Sequence, residues 1–369
     1  MNVKLFIKKN AITIIAFMAA LITAFFIPPD REYLNYFDYK TLACLFCVLA
    51  VVCALKNIDF FFLLAKKIVR VFKNIRACVI ALVYITFIGS MLIANDMALL
   101  TFLPLGYFVL SWADKKQYMA FTFIMQNIAA NLGGMLTPFG NPQNLYLYSY
   151  FNIPNLEFVQ IMALPFIFSI LLITLCCFIF VKKEPLDLPE EKSAFDKKRG
   201  ILYLILFALS IAIVFRGIPY VVGLVIIPLV LLFADRKALK QVDYPLLLTF
   251  VFFFIFSGNM ARIEVVKNFF SFLMQKSAFL VSIFSCQIIS NVPSAILLSQ
   301  FTTNYKELLL GVNIGGVGTI ISSLASLITF KEYVKHNPEK SMQYVGRFSI
   351  YNFLFLVSLT IFTLLVEVL

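Results

Sequence analysis

Charge is scarce in this chain: 14% of its 369 residues are Asp, Glu, Lys or Arg, against roughly a quarter in soluble domains. With 62% hydrophobic residues and a mean hydropathy of +0.93, too little polar surface remains to cover a water-soluble globule. Histidine is reduced to one residue, His336, in a polar loop, so no His-based catalytic base or metal cluster can be built. The single Trp112 reads as an interfacial anchor. No GxxxxGK[ST] motif occurs, which excludes a nucleotide-driven pump within this chain. The seven cysteines all lie in apolar runs. Cys44 and Cys47 form a CxxC that lacks a second pair and a nearby His, so disulfides and structural zinc are not expected. The net charge of +12 would point a soluble protein toward nucleic acid. Here the Lys and Arg residues sit between apolar runs, as the positive-inside rule produces, and the partner is the lipid bilayer.

What is present is a series of apolar runs about 20 residues long. They fall near 11–27, 39–55, 158–181, 201–215, 218–234, 245–258 and 341–367. The N-terminal run lacks a small-residue cleavage site before PPDREY, so it reads as a first span, not a removed signal. Two more runs, 118–148 and 307–330, are interrupted by near-copies of one polar sequence. With Asn131 set on Asn313, NLGGMLTPFGNPQNL and NIGGVGTIISSLASL agree at Asn, Gly-Gly, Thr and the final Leu. Gly140, Asn141 and Asn144 then stand opposite Ser322, Ser323 and Ser326. Unsatisfied backbone costs several kcal/mol in lipid, and matched broken helices in two halves are the best sequence pointer to a transporter's binding site.

Charge decides the topology of the remaining runs. Lys66, Lys67, Arg70, Lys73 and Arg76 precede 77–110, and Lys115 and Lys116 follow it. Both basic flanks belong in the cytoplasm, so the run enters and leaves by one face. Its centre is Ala94-Asn95-Asp96. Two full spans or a re-entrant hairpin both satisfy that run taken alone. The run 277–303 breaks at Ser290-Asn291-Val292-Pro293, into arms of about 13 and 10 residues that are too short to cross twice. It must be re-entrant, and span counting brings it in from the other side. Asp38-Tyr39 and Asp243-Tyr244 open corresponding spans. Each leads to an amphipathic stretch (58–74 and 260–275), a hairpin, a broken helix and a closing span. The expected fold is an all-α polytopic membrane protein of two inverted repeats. It has about nine full spans plus two hairpins, with the N-terminus inside and the C-terminus outside. The first repeat covers 1–181, with hairpin 77–110 and broken helix 118–148. A cytoplasmic linker covers 182–200. The second part covers 201–369, a linking span plus hairpin 277–303 and broken helix 307–330.

Together, Ala94-Asn95-Asp96 followed by ALLTFLP, GGMLTPFGNPQN, SNVPSAILL and NIGGVGT…SLASL resemble the ion transporter superfamily. That group contains divalent-anion/sodium symporters, citrate transporters, arsenite permeases and a class of sodium/proton antiporters. The wording is most similar to a small bacterial anion permease branch. In the symporters each tip carries Ser-Asn-Thr, which with the broken helix holds a sodium ion and part of the substrate. Asn95 matches the first tip, Ser290 and Asn291 match the second, and Ser90 matches a family sodium ligand. Both tips lack the Thr, and an Asn-Asp first tip is closer to the arsenite permeases. Together with the chemistry of the residues, which adds Asp96, Thr137 and Thr319, the resemblance implies substrate contacts from Asn95, Asp96, Thr137, Asn141, Ser290, Asn291, Thr319 and Ser323. It implies coupling-ion contacts from Ser90, Asn95, Asp96, Gly140, Asn291 and Ser322, and a homodimer in a bacterial inner membrane. No cofactor is implied beyond sodium.

The chemistry of these residues agrees. Tips and breaks offer up to four helix N-termini, enough to hold a small anion without Arg. Carbonyls with Asn, Ser and Thr oxygens suit sodium. Asp96 is the one acid placed near the midplane, where it could bind sodium, take up a proton or cap the hairpin helix. Asn95 and Asn291 are either site residues or turn residues. Gly133-Gly134 and Gly315-Gly316 serve ligand contact or close packing, and Thr137 and Thr319 either line the site or bond back into their helices. With Asn, Ser, Thr and one Asp as deep polar groups, no nucleophile–base dyad forms, so an enzyme is not expected. The expected function is a secondary transporter of a small anion, carboxylate or inorganic oxyanion, coupled to sodium or protons. The alternatives are arsenite or antimonite efflux, sodium/proton antiport and, more remotely, a channel.

Overall fold

A computed structural model describes residues 10–186 and 196–368. The start of the expected first repeat (1–9), the middle of the expected linker (187–195) and Leu369 lie outside the described residues. Among the described residues the chain is helical, with one isolated bridge between Asn74 and Pro185.

The first half runs through α1 (Ala11–Phe26), α2 (Tyr39–Asn57), α3 (Phe60–Val69), α4 (Ile75–Ile93), α5 (Asn95–Trp112), α6 (Met119–Gly133), α7 (Pro142–Tyr150) and α8 (Asn155–Phe180). The second continues with α9 (Lys197–Val214), α10 (Tyr220–Ala234), α11 (Arg236–Gln241), α12 (Tyr244–Arg262), α13 (Glu264–Ile289), α14 (Asn291–Leu298), α15 (Tyr305–Ile314), α16 (Leu324–His336) and α17 (Ser341–Thr363). Both Asp-Tyr openings are N-caps: Asp38 accepts from the Thr41 N–H at 3.0 Å and Asp243 from the Leu246 N–H at 3.0 Å.

Among the described residues six helices are long and apolar enough to cross a membrane: α2, α4, α8, α12, α13 and the segment Pro338–Val366 that contains α17. Helices α1 and α10 are apolar but shorter. Large apolar side chains such as Phe25, Phe178, Phe233 and Leu354 face outward, a surface suited to lipid. The protein is a polytopic membrane protein. Helix α2 is buried almost all round, because Ala43, Cys44, Cys47, Ala50, Cys53 and Ala54 let α9 and α10 close on it.

Helix α4 stops at Ile93 and α5 starts at Asn95, so the run 77–110 folds back on itself at one residue, Ala94. Its outer ends meet at Glu184. The Ile75 N–H donates to the Glu184 carbonyl (2.9 Å), and the Lys115 ammonium and Tyr118 hydroxyl reach its carboxylate. Helix α13 is two helices joined at a kink: Ser277 leaves helical geometry (φ −167°, ψ 103°), its hydroxyl accepts from the Leu280 N–H at 3.1 Å, and the Phe279 N–H turns to the Glu307 carboxylate at 3.1 Å. The second hairpin arm therefore begins at that kink, after an amphipathic lead-in fused to it. His336, expected in a polar loop, is instead the last residue of α16 and stacks on Tyr107 at 3.6 Å. Lys331, Glu332 and Lys335 make the last turns of that helix too polar for an apolar run to include them.

Candidate substrate and ion site

Each hairpin turns through one non-glycine residue with positive φ: Ala94 (67°, 151°) and Ser290 (77°, 159°). This corrects the turn-residue reading of the two asparagines, since the strained position falls immediately before each. The asparagines do something else. The Asn95 side-chain oxygen accepts from the Asp96 N–H at 2.9 Å, and that of Asn291 from the Val292 N–H at 2.9 Å. Their own N–H groups tie the tips to the breaks, Asn95 to the Gly140 carbonyl (3.0 Å) and Asn291 to the Ser322 carbonyl (2.9 Å). The Asn95 side chain thus takes the Asp96 N–H, while the Asp96 carboxylate makes no capping bond: its Oδ1 is buried and accepts no hydrogen bond.

The breaks are matched as well. Residues 134–141 separate α6 from α7, and residues 315–323 separate α15 from α16. The Thr137 hydroxyl donates to the Met91 carbonyl (2.8 Å) and the Thr319 hydroxyl to the Gln287 carbonyl (3.2 Å). These hydroxyls do not bond back into their own helices; each fastens its break to the adjacent hairpin arm. The Gly140 and Ser322 N–H groups reach the Thr137 and Thr319 carbonyls, both at 3.2 Å. A Cβ on Gly133 would lie 2.2 Å from the Phe87 carbonyl oxygen and 2.7 Å from the Ser90 hydroxyl, so that glycine exists for close packing of α6 on α4.

Buried amides link the first tip to the first broken helix and that helix to the second half. Asn95 Nδ2 donates to Asn131 Oδ1 (3.3 Å), Asn141 Nδ2 to Asn313 Oδ1 (3.1 Å) and Asn313 Nδ2 to Asn144 Oδ1 (2.6 Å). Asn127 continues toward Asn352 on α17 (3.3 Å). Such a network specifies one arrangement because each member would otherwise be a buried, unsatisfied polar group.

Both tips face one small cavity of about 40 Å³. Of the expected site residues, Asn95, Asp96, Ser290 and Asn291 line it. The others, Ser90, Thr137, Gly140, Asn141, Thr319, Ser322 and Ser323, are not in its lining. Ser90 donates to the Phe87 carbonyl, Ser322 to the Gly316 carbonyl and Ser323 pairs with Ser326. The lining also includes Gln143 at the start of α7 and Thr249 on α12, neither singled out by the sequence. Thr249 bonds the Thr13 hydroxyl of α1 at 2.9 Å. The expectation of free helix N-termini needs correction at the hairpins. The leading N–H groups of Asn95, Asp96, Asn291 and Val292 are all taken by oxygen atoms of the protein, and Pro293 has none.

The sequence matches the citrate transporter family over residues 4–307. It is 35% identical over 304 residues to an uncharacterized transporter of Methanocaldococcus jannaschii, covering 81% of this chain and 82% of that one. It is 27% identical over 318 residues to the inner membrane protein YbiR of Escherichia coli, covering 84% of each. With a match running over most of the described helices and both polar tips, this chain belongs to the citrate transporter family, within the ion transporter superfamily, and is a membrane transporter.

Proposed function

We propose that the protein is a secondary active transporter that moves a small anion, a carboxylate or an inorganic oxyanion, by alternating access coupled to sodium or protons. The observation that carries this reading is the convergence of Asn95–Asp96 and Ser290–Asn291 on one cavity. The matched hydrogen bonds of the two tips and breaks support two repeats, and the basic flanks support their inversion in the membrane. In this reading about nine spans and two hairpins cross or enter the bilayer. The N-terminus lies inside, the C-terminus outside, and the protein works as a homodimer in the cell membrane.

Asp96 puts negative charge where the anion must sit, so a cation or proton binds first and offsets it. Neutral amides, hydroxyls and carbonyls around it suit sodium. The test is uptake of citrate, succinate, phosphate or sulfate into liposomes holding the purified protein, driven by a sodium gradient or a proton gradient. Gradient-dependent uptake of at least one of them is expected. Failure of all four under both gradients would overturn the reading. The unpartnered Asp96 oxygen favours a second reading, sodium/proton antiport. A pH-sensitive dye inside the same vesicles would then respond to sodium with no anion present.

A further inference from the structure

Two sets of helices meet along one seam. In one set α2 packs on α9, α10 and α11, and α1 packs on α12. In the other α4, α5 and α6 pack together, as do α13 and α15, and this set carries the tips and the breaks. Three hydrogen bonds between described residues cross the seam. The Ser149 hydroxyl of α7 donates to Asp38 Oδ1 at the start of α2 (3.3 Å), and the Ser257 hydroxyl of α12 to the Ile296 carbonyl of α14 (3.0 Å). Arg216 Nη2, in the turn between α9 and α10, donates to the Tyr148 carbonyl near the end of α7 (2.7 Å). All three lie toward the face where α2 begins and α12 finishes. By the order of elements α2 and α5 correspond to α12 and α14, the helix opened by Asp-Tyr and the returning arm of a hairpin. The second pair is bonded, whereas a cavity of about 120 Å³ lies between Lys56, Phe61 and Phe62 on one side and Leu100, Thr101 and Pro104 on the other. The seam is fastened at one face and hollow at the opposite one.

Arg216 is held there against local preference. Helix α9 closes with the Gly217 N–H on the Ala212 carbonyl (2.9 Å), which puts residue 216 at φ 64°, a position that glycine ordinarily takes. The guanidinium lies 4.1 Å over the Tyr148 ring and bonds a last-turn carbonyl, at the negative end of α7. Its Nε is buried without a partner, which offsets part of that gain and leaves a contact that can open. Helix α7 is nine residues long and begins at Pro142 and Gln143, which line the tip cavity, so a hold on its far end also places the first break. Resting on the transporter reading above, we infer that Arg216 is a positioning residue: with Ser149–Asp38 and Ser257–Ile296 it latches this face of the seam shut. When the latch opens, α7 and α14 leave α2 and α12, and the hollow beside α5 closes as the tip-bearing set swings toward it.

The test uses the purified full-length protein in lipid nanodiscs, where a maleimide reaches both faces and the result does not depend on which of them is cytoplasmic. Ser257→Cys reports on the fastened face and Thr101→Cys on the hollow one, over native cysteines that are all buried. Thr101→Cys should react readily and Ser257→Cys slowly. Adding Arg216→Gln should speed Ser257→Cys about tenfold, the worth of one hydrogen bond to a charged group. A bulky maleimide attached beforehand to Thr101→Cys wedges the hollow face open and should return that rate to the slow value. A rise that survives the wedge means that Arg216 only braces its own turn, and overturns the inference. An unreactive Thr101→Cys overturns it as well. Ser149→Ala should act in the same direction by a smaller factor and decides the matter if Arg216→Gln does not fold. Unchanged Ser257→Cys rates in every variant that folds also overturn the latch. Uptake by the parent protein is measured separately: no uptake together with wedge-sensitive labelling overturns the transporter reading and leaves the latch standing.

Discussion

A buried carboxylate oxygen without a partner costs a few kcal/mol to keep, so Asp96 marks a position that a ligand is expected to complete. Asp96→Asn keeps its shape and removes the charge. The variant should match or exceed the parent's thermal midpoint without sodium, lose the shifts that sodium or pH produce, and fall at least tenfold in coupled uptake. A variant that still responds to sodium and pH as the parent does would remove Asp96 from the coupling role. Ala94 holds a backbone region that is almost reserved for glycine and costs about 1–3 kcal/mol. Ala94→Val should therefore destabilise by about 2 kcal/mol or more, and Ala94→Gly should stay within about 1 kcal/mol of the parent. A thiol-reactive dye can follow unfolding, since the seven cysteines are free and buried in the folded protein. Equal midpoints for the two variants would refute the strain. Asn95, Asp96, Ser290 and Asn291 were legible because polar side chains interrupting apolar runs have few other reasons to exist. Gln143 was not, because its orientation depends on Asn313, which is remote in sequence, and no local pattern records that contact.

At the scale of the elements, hydropathy located the helices well where their ends are apolar and poorly where they are amphipathic. Helix α9 begins at Lys197 and α16 extends to His336, beyond the runs that announced them, because charged turns at the membrane edge carry no hydrophobic signal. The breaks were visible as clustered glycines and amides, but the sequence left open whether those glycines meet a ligand or a helix. Gly133 answers for one of them: with the Phe87 carbonyl in the way, Gly133→Ala should lower stability by about 1–3 kcal/mol. An unchanged midpoint would mean that α6 can move off α4 at no cost.

The clasp at the base of the first hairpin should respond to acid. Hydrogen bonds from Lys115 and Tyr118 hold the Glu184 carboxyl below its ordinary 4.5. A depressed carboxyl contributes stability that is present above its unfolded pKa and is lost as pH falls through the folded one. The parent's midpoint should thus drop from about pH 4.5 downward more steeply than that of Glu184→Gln. Parallel pH profiles would show that the clasp adds no net stability.

For the whole molecule, the claim with most reach is that the two hairpins enter from opposite faces. The covalent order cannot establish this, and neither can hydropathy, since α4 is long enough to cross by itself. Two arguments carry it: basic residues on both flanks of the first hairpin, and an odd number of crossings between corresponding elements of the two halves. Lys116, at the base of the first hairpin, and Thr303, just beyond the second, are both exposed. Every native cysteine is buried, so single substitutions Lys116→Cys and Thr303→Cys can be labelled over a low background. In intact cells a membrane-impermeant thiol reagent should modify Thr303→Cys and spare Lys116→Cys until the membrane is permeabilised. If both react from the same side, the hairpins are not opposed. The cavity would then have access from one face only, and a carrier that alternates between two sides could not be built from this chain.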